Sequence, residues 1–229
     1  MYSLLASANR GIGLNLAKAF AALSWDVTGS VRPQTKTDPS VKELEATGAK
    51  ILEIEFLVES SIIRATKEYG DKPIDVLLNV GGLSPNPKPW QEQTSDLFME
   101  KFQTMAVGRY LTTKHFLPNL EKSPSARVVN VSSTFGSVTD NTFGTCMAYR
   151  VAKASLNQVM VTFAREFENE GQNITVVCVE PGFLPTRLTG YDFVDDMDTS
   201  IASLMKVIQE LKKEDSGSFI EWSGKRLRF

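Results

Sequence analysis

The sequence predicts an open α/β fold, a parallel sheet covered on both faces by helices, and three observations carry that prediction. Short apolar runs alternate from end to end with longer amphipathic stretches, the pattern of strands joined by crossover helices. The 229 residues suffice for one well-buried domain, and no break in composition marks a second. The longest irregular segments, Ser84 to Trp90 and Phe183 to Asp196, both follow strand ends, where open α/β sheets bind ligands.

Taken in order, strands are expected at about 2–6, 25–31, 50–55, 74–79, 126–132, 174–179 and 218–222, giving seven. Helices are expected near 11–24, 40–47, 59–69, 94–117, 147–170 and 198–212. Pro118 is expected to end the fourth helix and Gly171 the fifth. No repeat or low-complexity segment interrupts the series.

Hydrophobic residues make up 42% and charged residues 23%, the balance of an ordinary soluble globular protein. A formal net charge of -2 gives no basic face for nucleic acid or an anionic membrane. The opening Met1 to Ala6 is apolar but too short for a signal peptide, and no run reaches the roughly 18 apolar residues of a membrane span. The expected location is cytoplasmic. Cys146 and Cys178 fall in no metal-spaced pattern and are expected as reduced core thiols. No metal site is expected. The cluster Asp192, Asp195, Asp196 and Asp198 reads as loop solvation and a helix start.

The first turn runs Ala6-Ser7-Ala8-Asn9-Arg10-Gly11-Ile12-Gly13 between a strand and a helix. Glycines there let a pyrophosphate approach backbone N–H groups at the positive end of the helix, although tight packing alone also calls for glycine. Arg10 lies in the turn and Arg32 directly follows the second strand, where a dinucleotide fold places the adenosine ribose. Two guanidiniums there suit a 2′-phosphate and so NADPH/NADP over NAD.

Tyr149 and Lys153 are four residues apart, hence on one face of the expected helix. An unperturbed phenol ionises near pH ~10. A cation about 4 Å away at an effective dielectric of about 20 is worth ~4 kcal/mol, or roughly three pKa units, enough to make it an acid–base group.

The turn Asn9 to Gly13, the strands Asp75 to Asn79 and Arg127 to Ser133, the Tyr149/Lys153 pair and Pro181-Gly182 resemble, in order and spacing, the short-chain dehydrogenase/reductase family. The likeness is greatest to its carbonyl-reductase group that includes the C-factor proteins, through Ala148-Tyr149-Arg150 and the stretch Glu214 to Phe219. The resemblance covers nearly the whole chain. It implies a three-layer Rossmann fold over 1–229, with a substrate loop near 183–197. It further implies that Tyr149 protonates a carbonyl oxygen, that Lys153 lowers the tyrosine pKa and holds the nicotinamide ribose, and that Ser133 polarises the substrate oxygen. The resemblance prefers Ser133 to Ser132 because Ser133 begins the Ser-x-x-Gly run ending at Gly136, in the family's position, and neighbouring strand residues face opposite ways, so the two cannot both face the site. Cofactor contacts are expected from Ser7, Asn9, Arg10, Gly11, Ile12, Gly13, Arg32, Glu55, Asn79, Gly81, Tyr149, Lys153, Pro181, Gly182 and Thr186. A homo-oligomer is also implied.

Four positions depart from the family pattern. Ser7 replaces the first glycine of the turn; if it needs positive φ, its Cβ costs about 1 kcal/mol. The usual Asn-Asn-Ala-Gly run reads Asn79-Val80-Gly81-Gly82, and Glu55 replaces an Asp. Met105 stands where the family's Asn orders a water that relays protons to the lysine, and a thioether donates no hydrogen bond. The expected activity is therefore an NADPH-dependent carbonyl reductase, with a non-redox enzyme (isomerisation, dehydration or cyclisation) and a non-catalytic dinucleotide-binding protein as alternatives. Phe135, Phe143, Trp90, Phe183, Tyr191 and Phe193 lie in loops expected to rim the pocket, which points to a fairly large apolar or aromatic carbonyl substrate.

Overall fold

A computed structural model describes residues 1–85 and 87–229. Asn86, inside the proline-rich segment singled out above, lies outside the described residues.

The chain forms β1 (Tyr2–Ala6), α1 (Gly11–Ala22), β2 (Asp26–Val31), α2 (Ser40–Glu45), β3 (Lys50–Glu53), α3 (Glu59–Tyr69) and β4 (Val76–Asn79). It continues through α4 (Ser95–Phe102), α5 (Gly108–Leu120), β5 (Ala126–Val131), α6 (Met147–Asn169), β6 (Ile174–Glu180), α7 (Met197–Glu210), β7 (Phe219–Glu221) and β8 (Arg226–Leu227). The sheet order is β3-β2-β1-β4-β5-β6-β7-β8, parallel up to β7 and antiparallel for the last pair. This is a Rossmann-type sheet with eight strands rather than seven. β8 has two residues and no readable periodicity; it is paired by a tight turn in which Gly224 takes φ +90°.

Alternation along the strands divides the core into two layers. Leu5 of β1 packs with Phe20 of α1 and Leu204 of α7, whereas Leu4 and Ala6 join Ile62 of α3, Phe116 of α5 and Leu156 of α6 on the opposite face. Each fully buried aliphatic or aromatic side chain of this kind contributes about 1.5–3 kcal/mol, so both helical layers are held by burial. The chain reverses its sense of winding between β1 and β4, which opens a crevice at the C-terminal ends of these strands.

The stretch expected as one helix over 94–117 is two helices joined by a π-helical segment, Gln103–Val107. Thr94 caps α4, accepting from Leu97 N at 3.3 Å. Just past the widened turn the backbone packs closely on Phe56: a Cβ at Gly108 would stand 2.5 Å from Phe56 Cβ. Pro118 does not end α5, which runs on to Leu120. The proline has no N–H to bond Lys114 O, and the turn that holds it is anchored from outside by Asn119 Nδ2, which donates to Gly70 O (2.8 Å) and Lys72 O (2.7 Å). Gly171 follows α6 with φ +72°, as a helix stop requires.

Candidate active site

The end of β5 and the first turns of α6 bring Ser133, Tyr149 and Lys153 together at the C-terminal edge of the sheet. Strand alternation separates the two serines. Ser132 Oγ turns inward and donates to Asn157 Oδ1 at 2.6 Å, while the Ser133 hydroxyl stands beside the Tyr149 phenol and accepts from Phe135 N at 3.2 Å. Tyr149 and Lys153 are both buried. Lys153 Nζ donates to Val131 O at 2.8 Å and lies 5.7 Å from the centre of the Tyr149 ring.

The expected lowering of the tyrosine pKa by Lys153 is not what the structure shows. Burial pushes the Tyr149 phenol up to about 12; the Ser133 hydroxyl and the Arg109 guanidinium pull in the other direction. Burial, reinforced by Arg109, also holds Lys153 well below the usual ammonium range. A cation removed from water favours its own neutral form, so the simple pairing of two charges overstated what Lys153 can do.

Three charged residues at this centre were not singled out from the sequence. Arg109, in the first turn of α5, is fully buried and donates from Nη1 to Met105 O at 2.9 Å. Lys101 of α4 is buried, donates to Ser84 O, and lies 5.9 Å from the centre of the Tyr149 ring. Glu180, at the end of β6, has its carboxyl pushed up to about 7, mainly by burial. On a helix, Lys and Arg read by default as solvated, so no sequence signal separated Lys101 and Arg109 from their exposed neighbours. Met105 itself is buried, and its side chain packs with Tyr149, Cys146 and Ala152.

The glycine turn lies in the crevice between β1 and β4. Ser7 has φ +71°, so the strain anticipated for a Cβ there is present, and its N–H donates to Ser30 Oγ at 3.0 Å. Gly11 has φ +51° and faces Thr186, whose Cγ2 would be 3.3 Å from an added Cβ. Gly13 permits close helix–strand packing, since a Cβ would lie 2.2 Å from Ser7 O. Asn9 Nδ2 ties the turn to α2 through Ser40 Oγ (3.0 Å), and Ile12 packs on the core.

Arg10 and Arg32 are exposed and close enough to perturb each other, and Arg187 from the loop after β6 joins them. Burial and these two neighbours lower the Arg10 pKa, with Asp38, 3.4 Å from Arg187, as partial compensation. The guanidiniums of Arg32 and Arg187 both act on that of Arg10 beside the glycine turn, an arrangement that fits a phosphate-rich dinucleotide.

Three of the residues expected to contact a cofactor also make contacts within the protein. Asn79 is fully buried, with Nδ2 donating to Asn130 Oδ1 at 2.9 Å, so it braces β4 against β5. Glu55 folds back to accept from Leu57 N at 3.4 Å. Gly81 sits under Ser7, whose Oγ would be 2.3 Å from a Cβ there.

On the opposite wall Gly182 has φ +92° and donates to Glu180 Oε2 at 3.0 Å, while Pro181 O accepts from Ser200 Oγ at 2.5 Å. Asp195 accepts from Phe183 N at 2.8 Å and Asp196 caps α7 through Thr199 N at 2.9 Å, which gives part of the acidic cluster structural work. Gly144, Thr145 and Cys146 are consecutively left-handed before α6. They are held by Arg150, which donates to Gly144 O (2.7 Å) and Thr145 O (3.0 Å) and stacks on Phe135 and Phe143. Trp90 and Phe135 line a cavity of about 540 Å³ together with Gly136, Gly144, Cys146 and Arg150; Phe143, Phe183, Tyr191 and Phe193 are exposed. Cys146 and Cys178 are free and buried. Among the described residues no helix is long and apolar enough to cross a membrane.

Residues 3–197 match the family model described as short chain dehydrogenase. C-signal of Myxococcus xanthus is 31% identical over 152 residues, covering 66% of this chain and 90% of that protein. Among solved structures, carbonyl reductase Sniffer of D. melanogaster superposes with a TM-score of 0.89 at 25% identity, covering 100% of this chain and 99% of that one. An NADPH-bound carbonyl reductase from chicken fatty liver gives 0.92 at 26% identity, covering 100% and 98%. The chain belongs to the short chain dehydrogenase family, and with it to the oxidoreductases.

Proposed function

We propose that this protein is an NADPH-dependent carbonyl reductase acting on a fairly large apolar or aromatic small molecule. The observation that carries the reading is the convergence of Ser133, Tyr149 and Lys153 on one edge of the sheet, beside a glycine cradle flanked by Arg10, Arg32 and Arg187. The NADPH-bound chicken enzyme, similar along its whole length, supports the choice of cofactor.

Bound NADPH supplies the hydride. The arginines would hold its extra phosphate, the backbone N–H groups of the glycine turn would face its pyrophosphate, and Thr186 lies beside Gly11. Tyr149, protonated at neutral pH because burial keeps its pKa high, gives its proton to the substrate oxygen as negative charge develops there. Ser133 donates a hydrogen bond to the same oxygen, and Lys153, fixed on Val131 O, orients the cofactor's ribose. The exposed Phe183, Tyr191 and Phe193 give a mobile substrate an apolar entrance.

We read the protein further as a cytoplasmic homo-oligomer. The exposed Met99, Tyr110 and Val151 on α4, α5 and α6 support the assembly, which sedimentation will measure. Fluorescence titration with NADPH and NADH tests the cofactor: binding of neither sinks the reading. Turnover on a carbonyl panel by the wild type and Tyr149→Phe tests the chemistry; a reductase loses most of its rate with the phenol.

A further inference from the structure

Arg109 is a cation that the fold encloses without an acidic partner. It is fully buried, makes no ion pair among the described residues, and keeps Nε and Nη2 without hydrogen-bond partners. Its one short bond, from Nη1 to Met105 O at 2.9 Å, places it directly behind the residue whose side chain packs on Tyr149. Its other neighbour is the Phe56 ring, 5.8 Å from the guanidinium carbon to the ring centre. A buried charge left unpaired costs several kcal/mol, and an arginine does not escape that cost by losing its proton at neutral pH. An anion that forms beside it recovers part of that cost.

Two groups near Arg109 can become anions. Cys178, on β6, is fully enclosed and its thiol is pushed up to about 12 by burial, so it stays neutral. The other is Tyr149. Lys153 answers poorly for that phenolate, because burial disfavours its own charge.

We propose that Arg109 is a positioning residue of the acid–base centre: held on the backbone of Met105, whose side chain packs on Tyr149, its guanidinium is the positive charge against which the Tyr149 phenolate forms. This rests on the reading of Tyr149 as the proton donor. The other groups facing Tyr149 are Lys153 on its own helix, Lys101 from α4, Ser133 from the end of β5, Glu180 from β6 and Cys146 just before α6. Of these, Glu180 and Cys146 oppose ionisation, and Ser133 assists it by a hydrogen bond. Burial lowers the Arg109 pKa to about 10, so the arginine keeps its charge at neutral pH, whereas burial holds Lys153 well below the usual ammonium range.

The test replaces tyrosine throughout by difluorotyrosine, whose phenol ionises at lower pH, and follows residue 149 by fluorine NMR, assigned with Tyr149→Phe. The wild type is compared with Arg109→Gln, which keeps a donor for Met105 O but no charge, and with Arg109→Lys. The expected result is a Tyr149 midpoint about one to three units higher in Arg109→Gln, with most of that shift recovered in Arg109→Lys. An unchanged midpoint in Arg109→Gln overturns the proposal, since a purely structural arginine affects folding and not the acidity of the phenol. Should Arg109→Gln not fold, the fallback is Arg109→Met, which removes the enclosed charge together with its desolvation cost: it is expected to raise the Tyr149 midpoint above the wild-type value as Arg109→Gln does, and an unchanged midpoint overturns the proposal. The titration needs no substrate; failure of the reductase reading would appear instead as absent turnover on the carbonyl panel.

Discussion

Ser7 and Gly81 stand where the family pattern carries glycine and alanine, and the structure makes the two departures one. Ser7 holds φ +71°, and its side chain occupies the space a residue 81 side chain would need: a Cβ on Gly81 would lie 2.3 Å from Ser7 Oγ, 2.8 Å from Ser7 Cβ and 3.2 Å from Phe56 Cε2. Gly81→Ala alone therefore forces Ser7 aside, at a cost of about 2 kcal/mol for overpacking. Ser7→Gly alone relieves about 1 kcal/mol of left-handed strain but returns about 0.4–1 kcal/mol through the freedom of the unfolded chain, for a net near zero. In Ser7→Gly/Gly81→Ala both Ser7 contacts vanish, only the Phe56 contact remains, and the alanine costs within about 0.5 kcal/mol of nothing. The predicted coupling is about 1–3 kcal/mol, or a Tm difference on the order of 2–4 °C for each kcal/mol in a domain of this size. Urea and thermal unfolding of the four proteins measure it. If Gly81→Ala costs the same in the wild type as in the Ser7→Gly background, the two positions do not compensate and the account of the turn is wrong.

Other perturbations test the site. Tyr149→Phe is expected to lower the reduction rate by about 10²–10⁴-fold while leaving NADPH affinity nearly unchanged, measured by steady-state kinetics beside fluorescence titration. Arg10→Ala with Arg32→Ala should weaken NADPH binding by about 10–100-fold and NADH binding hardly at all; equal losses for both cofactors would place the arginines away from the 2′-phosphate. Glu180 makes stability depend on pH. Its carboxyl is raised from 4.5 to about 7 in the folded protein, so the fold holds that proton more tightly than the unfolded chain does. The stability from this source is full below about pH 4.5 and is lost as pH rises through about 7, a change on the order of 3 kcal/mol. Glu180→Gln keeps an acceptor for Gly182 N–H and should flatten that decline; the same slope in both proteins between pH 5 and 8 would count against it.

The sequence by itself determined what depends on local spacing. Alternation along β5 separates Ser132 from Ser133, the four-residue step of α6 aligns Tyr149 with Lys153, and glycines at 11 and 13 mark a turn that no side chain could fill. These are properties of a few neighbouring residues, so they survive without knowledge of the rest of the chain. Tertiary structure alone decided the charges. Arg187 reaches Arg10 only because the loop after β6 folds over the first turn, and Ser7 and Gly81 complement each other only because β1 and β4 lie side by side. Arg109 reads as one more polar residue on a helix until the π-helical turn over Phe56 swings it beneath Met105. The acidity of Tyr149 belongs to the same class: desolvation is set by everything that encloses a group, and a sequence does not state which distant residues will exclude the water.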